Sequence, residues 1–336
     1  MSRSKRLPVL ALTMGDPAGI GPEVIAKACA LQAVRRLCRP VVVGSLPAME
    51  RTVRSLGLPL KVVRVTGHGE SIGRRGTLPV CDPLEKPLGR FRMGAVSKQT
   101  GAASALFVVK AVRLTMLGCF DGIVTAPINK EAINLAGYDY PGHTELLADL
   151  TRAKESGMMI LGGPLKIMFV TTHVAHRKLA DALSTKKIAR AIRLAHKALK
   201  ESFGIARPRI GVAALNPHAG EHGLFGNEEA RVIAPACRAA RARGINASDP
   251  LPADTLFGKV VRGGYDGVVA MYHDQGLIPL KLLAFGTCVN MTVGLPIIRT
   301  SVDHGTAFDI AGKGKADPGS MVEAIVLASK LVKRRR

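Results

Sequence analysis

The chain contains no tryptophan, and aromatic residues make up only 4% of it. It shows no pattern of base-stacking aromatics, no helix-turn-helix and no zinc-finger spacing, so its excess of basic residues has no recognisable nucleic-acid module to serve. The six cysteines (Cys29, Cys38, Cys81, Cys119, Cys237, Cys288) are scattered, with no Cys-x-x-Cys pair. That spacing excludes a disulfide framework and a thiolate zinc site, and reads as reduced core thiols of a cytoplasmic protein. No apolar run approaches the roughly 18 residues of a membrane span. The opening MSRSKRLPVLALTMGDPAG has the basic start of a signal peptide, but its apolar run stops at Gly15-Asp16-Pro17 without a small-residue cleavage site. It reads as a first strand. A dinucleotide fingerprint is absent, since Val24 stands at its third glycine position. The glycine-rich stretch 305–314 lacks the Lys-Ser/Thr ending of a phosphate-binding P-loop, and there is no Gly-x-Ser-x-Gly elbow or Cys-His nucleophile pair.

Acidic residues are outnumbered 25 to 48, leaving a formal net charge of +23. Part of the excess lies in the tails (Arg3, Lys5, Arg6 and Lys330, Lys333, Arg334, Arg335, Arg336), and the rest is spread along helical stretches. This reads as a solvated basic surface whose field helps to collect an anionic substrate.

At 336 residues and 47% hydrophobic, with 36 glycines, the chain is long enough for two α/β domains. Apolar runs bounded by turn residues predict strands over 8–14, 40–44, 60–65, 121–126, 165–171, 209–215, 268–271 and, as the last, 287–292. Helical periodicity falls between them, over 22–30, 49–56, 98–117, 130–136, 144–152, 185–203, 227–243, 254–262 and 319–333, with 82–96 as a loop. Strands alternating with helices argue for mostly parallel sheets. The cluster Gly15 to Glu23 follows a strand and opens a helix, as a phosphate-cradling turn would.

Three histidines stand just beyond three predicted strands: His173 after 165–171, His218 after 209–215, and His273 after 268–271. Open parallel sheets bind ligands outside the carboxyl ends of their strands. Three imidazoles converging there with a coordination position left open is a pattern used for catalytic divalent metals. His176 competes with His173, and His222 lies close to His218 as a loop residue. A second group suits anions: Lys281 after the third of these strands, Asn290 in the next, and Arg299 beyond it.

Seven ordered motifs carry a resemblance over nearly the whole chain: MGDPAGIGPE at 14–23, TAPINK at 125–130, GHTE at 142–145, LNPHAGE at 215–221, PADT at 252–255, YHDQGLIPLK at 272–281 and RTSVDHGTA at 299–307. Through them the sequence resembles the 4-hydroxythreonine-4-phosphate dehydrogenase family of vitamin B6 (pyridoxine) synthesis. That resemblance implies two α/β/α domains with an interdomain cleft, similar in fold to isocitrate and isopropylmalate dehydrogenases. It also implies a homodimer whose active sites take residues from both chains. The domains would be 1–130 with 290–336, binding the nucleotide, and 131–289, carrying the metal ligands and the dimer interface.

By position, the resemblance implies His173, His218 and His273 as ligands of one divalent ion (zinc, magnesium or cobalt). His143, Thr144, Lys281, Asn290 and Arg299 become substrate contacts. It implies NAD or NADP as cofactor, bound by residues that the motifs do not identify, and a phosphorylated hydroxy acid as substrate. The reaction is oxidation of 4-phosphooxy-L-threonine at C3, then loss of carbon dioxide to leave 3-amino-2-oxopropyl phosphate. Asp254 and His143 are the candidates to take the hydroxyl proton. No nucleic-acid or membrane partner is implied. Relatives with nearly the same motifs oxidise phosphorylated D-threonate or D-erythronate, and His176 stands where the B6 branch often has an apolar residue. A non-catalytic phosphate- or nucleic-acid-binding protein is the alternative of a different class.

Overall fold

The structure is a computed structural model that describes residues 6–66 and 76–336; Arg3 and Lys5 of the basic tail lie outside the described residues. The chain forms two compact units. One runs through Lys154 and resumes over Leu295–Arg334; the other is Glu155–Gly294. The first crossing therefore follows Lys154, not residue 130, because α5 (Lys130–Leu135) and α6 (His143–Leu150) both pack against α4 (Lys98–Met116). The return crossing follows Gly294, at the end of strand β11, and does not fall before residue 290.

In chain order the first unit holds β1 (Val9–Thr13), α1 (Gly21–Ala30), α2 (Gln32–Leu37), β2 (Arg39–Val43), α3 (Leu46–Ser55), β3 (Lys61–Arg64), β4 (Thr77–Cys81), α4, β5 (Gly122–Thr125), α5 and α6. The second holds β6 (Gly157–Gly162), β7 (Leu165–Phe169), α7 (Leu179–Ala182), α8 (Thr185–Lys197), β8 (Ile210–Ala213), α9 (Ala234–Arg241), β9 (Ala247–Leu251), α10 (Ala253–Val261), β10 (Gly267–Ala270), α11 (His273–Ala284) and β11 (Val289–Val293). The chain then returns to the first unit for β12 (Arg299–Val302) and α12 (Gly319–Arg335).

The strands of the first unit lie in the order β3-β4-β2-β1-β5-β12, every neighbouring pair parallel. Those of the second lie in the order β11-β6-β7-β10-β8-β9, parallel except that β6 is antiparallel to both neighbours. Strands covered by helices on both faces need continuous apolar sequence, and β1, β5, β8 and β10 are buried along their whole length.

Local chemistry starts the helices where the sequence signals them. Ser45, Ser97, Asn129 and Ser184 each accept a backbone N–H from the first turn of α3, α4, α5 and α8. Seven elements carry no clear signal in the sequence: β4, β6, β9, β12, α2, α7 and α11. β12 begins with a buried arginine and reads as polar, yet all four of its residues are buried. α11 contains Gly276 and Pro279, which look like breakers. The glycine is needed for packing: a Cβ on Gly276 would stand 2.7 Å from Phe169 Cε1 and 2.9 Å from Ile167 Cγ2. Beneath α10 and α11 lies a core of Leu165, Ile167, Phe169, Leu256, Val268, Leu277 and Leu280. Among the described residues no helix is long and apolar enough to cross a membrane. All six cysteines are free thiols.

Candidate active site

The strand order of the second unit decides how the histidines can meet. β10 lies between β7 and β8, so His173, His273 and His218 follow three adjacent parallel strands. The strand ends are stitched together. Thr171 donates its hydroxyl to Met271 O at 2.7 Å, tying the end of β7 to β10. Gln275 accepts from Met271 N at 2.7 Å and donates to Ala214 O at 2.6 Å, tying β10 to β8.

Two of the three imidazoles come together. The ring centroids of His173 and His273 are 5.9 Å apart, a spacing compatible with two imidazoles sharing one ion at N–metal bonds of about 2.0–2.1 Å. Asp274 Oδ1 is 2.7 Å from His273 Nδ1, and Asp274 Oδ2 is 3.9 Å from His176 Nε2. The His273 ring holds the Asp274 carboxyl below its ordinary range. His176, which begins a short 3-10 turn, also meets Tyr272 edge-on at 5.7 Å. His173, His176, Tyr272, His273 and Asp274 line one shallow cavity of about 230 Å³.

His218 is not brought into this group. Its ring lies beside Phe225, centroids 6.1 Å apart, and among the described residues no three His, Cys, Asp or Glu side chains are placed to hold an ion. It sits at the start of a left-handed turn in which His218, Ala219, Gly220, Glu221 and His222 all have φ between 44° and 83°. That conformation costs roughly 1–2 kcal/mol for each residue other than glycine.

The residues suggested for substrate fall in both units. In the first, His143 and Thr144 open α6, whose N-terminus has no side-chain cap. Arg299, only 2% exposed, opens β12 and donates from Nε and Nη2 to Thr125 Oγ1 at 3.2 and 2.7 Å. Burial lowers the guanidinium to about 9, so it stays charged at neutral pH. His143 Nε2 is buried with no hydrogen-bond partner. Burial first, then the charges of Arg299 and Lys130, hold its pKa well below the ordinary 6.5. Lys130, the last residue of the TAPINK motif, has no site signal of its own in the sequence; only the fold brings the head of α5 near enough for its charge to act on His143.

In the second unit Asn290 lies in β11 with its Oδ1 buried and unpartnered, and Lys281 is in the last turn of α11. Asp254 is exposed in the first turn of α10, where its Oδ1 accepts from Thr255 N at 2.8 Å. The glycine turn before α1 is not an open anion cradle. Residues 15–23 are buried, the Asp16 carboxylate points inward, and a Cβ on Gly21 would lie 2.1 Å from Met14 O. Burial raises the Asp16 pKa.

In the second unit imidazoles pair at the ends of adjacent parallel strands, the place where α/β folds carry their ligand sites. Residues 36–328 match the family model described as "Pyridoxal phosphate biosynthetic protein PdxA", and the chain belongs to that family. A Geobacter metallireducens protein named 4-hydroxythreonine-4-phosphate dehydrogenase is 47% identical, the match covering 97% of this chain and 96% of the relative. A Cupriavidus necator protein named D-threonate 4-phosphate dehydrogenase is also 47% identical, over 99% of each chain. The crystal structure of a 4-hydroxythreonine-4-phosphate dehydrogenase from Klebsiella pneumoniae superposes with a TM-score of 0.89 at 46% identity, covering 97% of this chain and 99% of that one. The chain is thus an enzyme of the dehydrogenase type, and a non-catalytic binding role is set aside.

Proposed function

We propose that the enzyme oxidises 4-phosphooxy-L-threonine at its C3 hydroxyl to a 3-keto acid, which loses carbon dioxide to give 3-amino-2-oxopropyl phosphate in pyridoxal phosphate synthesis. It works as a cytoplasmic homodimer with NAD or NADP and one divalent ion (zinc, magnesium or cobalt). The observation that carries this reading is the pairing of His173 and His273 at adjacent strand ends, with Asp274 on Nδ1 of His273. A carboxylate on one ring nitrogen is the usual support of a metal-binding imidazole, so the His173–His273 pair fits an ion as two of its ligands. His173, His273 and His218 would hold it, and in a homodimer with shared sites His218 can come from either copy. When bound, the ion supplies a Lewis acid to the C3 oxygen, and the nicotinamide supplies the hydride acceptor. The described residues offer the nucleotide no phosphate cradle at α1, and no residue is assigned to it.

Arg299, Lys281, Asn290 and Thr144 bind the phosphate and carboxylate oxygens. Arg299 and Asn290 present polar atoms that water does not reach, where a charge-assisted bond is little screened. His143 is neutral at pH 7 and accepts the C3 hydroxyl proton on its unpartnered Nε2; Asp254 is the other acceptor to be compared. The experiment is nicotinamide reduction with purified enzyme, 4-phosphooxy-L-threonine and a divalent ion. Absence of reduction with both NAD and NADP would reject the reading.

One observation favours a second substrate. His176 lies in the same cavity as the metal pair, 3.9 Å from Asp274. There it suits a hydroxyl at C2, as in 4-phospho-D-threonate or 4-phospho-D-erythronate, better than an ammonium.

A further inference from the structure

Four non-glycine residues of the His218 turn carry a steric cost, and such a run persists only where its surroundings over-determine it. The support is a buried carboxylate. Glu229, 6% exposed, lies at the head of a wide helical turn (Glu229–Ile233) that leads into α9. Its Oε1 accepts from Leu215 N and Asn216 N, both at 2.8 Å, and its Oε2 accepts from the Asn216 side-chain amide at 3.0 Å. The same carboxylate explains the one glycine of the turn: at Gly220 (φ +83°) a Cβ would stand 2.8 Å from Glu229 Oε2. On the other side, Ala214 O is held by Gln275, two residues beyond His273. The backbone leading to His218 is therefore gripped between Glu229 and the segment that carries His273.

A buried carboxylate is a costly way to hold a loop if only stability matters, since an apolar contact avoids the desolvation. What it adds is direction, because two N–H groups aimed at one oxygen fix the course of the chain. We propose that Glu229 is a positioning residue for His218, fixing the strained turn from which its imidazole would be offered as a metal ligand. This rests on reading His218 as a metal ligand.

The test is equilibrium binding of cobalt(II) to the intact protein, measured by chelator competition and by the visible absorption of the bound ion. Wild type, Glu229→Ala, Glu229→Gln and His218→Ala are compared. Glu229→Ala is expected to bind cobalt about 10- to 100-fold more weakly, as when a support of a metal ligand is lost. At saturating cobalt its spectrum should return to that of wild type, because His218 itself is intact. Glu229→Gln keeps an acceptor oxygen for Leu215 and Asn216 and should recover part of the affinity. It also carries the comparison if the alanine variant does not fold. A merely structural role would lower thermal stability and leave the affinity of the folded protein unchanged. Wild-type affinity in both Glu229 variants, with affinity lost in His218→Ala, would overturn the proposal and spare the His218 reading. Wild-type affinity and spectrum in His218→Ala would remove that reading and the proposal with it.

Discussion

Asp274 Oδ1 lies 2.7 Å from His273 Nδ1, in the first turn of α11. A carboxylate only accepts, so in this contact Nδ1 is the donor and Nε2 is the ring nitrogen left to ligate an ion. Asp274→Ala should therefore weaken divalent-ion binding about 10- to 100-fold. Asp274→Asn, whose amide oxygen still accepts, should lose less. Equilibrium dialysis against a graded chelator series measures both, and equal affinities in the two variants would mean that the contact does not orient the ring.

For the anion contacts, removal of one charge-assisted bond costs roughly 1.5–3 kcal/mol, or about 10- to 150-fold in kcat/KM. Lys281→Ala and Arg299→Ala should each fall in or beyond that range on a phosphorylated substrate. Arg299→Lys should not rescue, because an ammonium cannot reproduce the paired Nε and Nη2 bonds to Thr125. Steady-state kinetics that left either alanine variant at the wild-type kcat/KM would remove that residue from the site.

His143 gives a pH prediction with a definite sign. Its folded-state pKa lies well below 6.5, lowered first by burial. Above 6.5 the ring is neutral in both folded and unfolded chains and contributes nothing to pH dependence. Below 6.5 the unfolded chain takes the proton and the folded one does not, so stability falls as pH drops toward the folded pKa. His143→Gln should reduce that acid-side loss. Denaturant titrations between pH 5 and 8 read it, and an unchanged slope in the variant would contradict the assignment.

Much of this was legible because the relevant information is local. Val41-Val42-Val43 and Val268-Val269-Ala270 announce buried parallel strands, and of the three histidines that follow such runs the structure brings His173 and His273 together but not His218. What escaped depends on tertiary partners. Thr300 and Ser301 look like surface residues, yet in β12 they are buried, with Thr300 donating to Ala324 O of α12. Gly276 reads as a breaker until its approach to Phe169 is known. Glu229 is an unremarkable helical glutamate by sequence, and only the return of the chain sets it under Leu215 and Asn216. The glycines before α1 misled in the opposite direction, since close packing requires them and no anion site opens there.

The choice of substrate turns on the C2 substituent. A site that bonds a hydroxyl leaves polar atoms unpaired against an ammonium, and such discrimination can reach about 10⁴-fold. On one preparation, kcat/KM for 4-phosphooxy-L-threonine should exceed that for 4-phospho-D-threonate. A tenfold or greater preference for the threonate would reassign the branch and leave the metal site in place. In either case His176→Ala should shift the ratio more than it lowers the better rate.

The central claim is metal-assisted oxidation of a phosphorylated hydroxy acid, and turnover as a function of bound metal tests it most directly. Enzyme stripped with chelator is titrated with zinc, magnesium or cobalt while nicotinamide reduction by 4-phosphooxy-L-threonine and bound metal are recorded together. The account predicts no turnover in the stripped enzyme and recovery that saturates at about one ion per chain, with neither recovery nor binding in His273→Ala. Full turnover in the stripped enzyme, or unchanged metal binding and activity in His273→Ala, would contradict it.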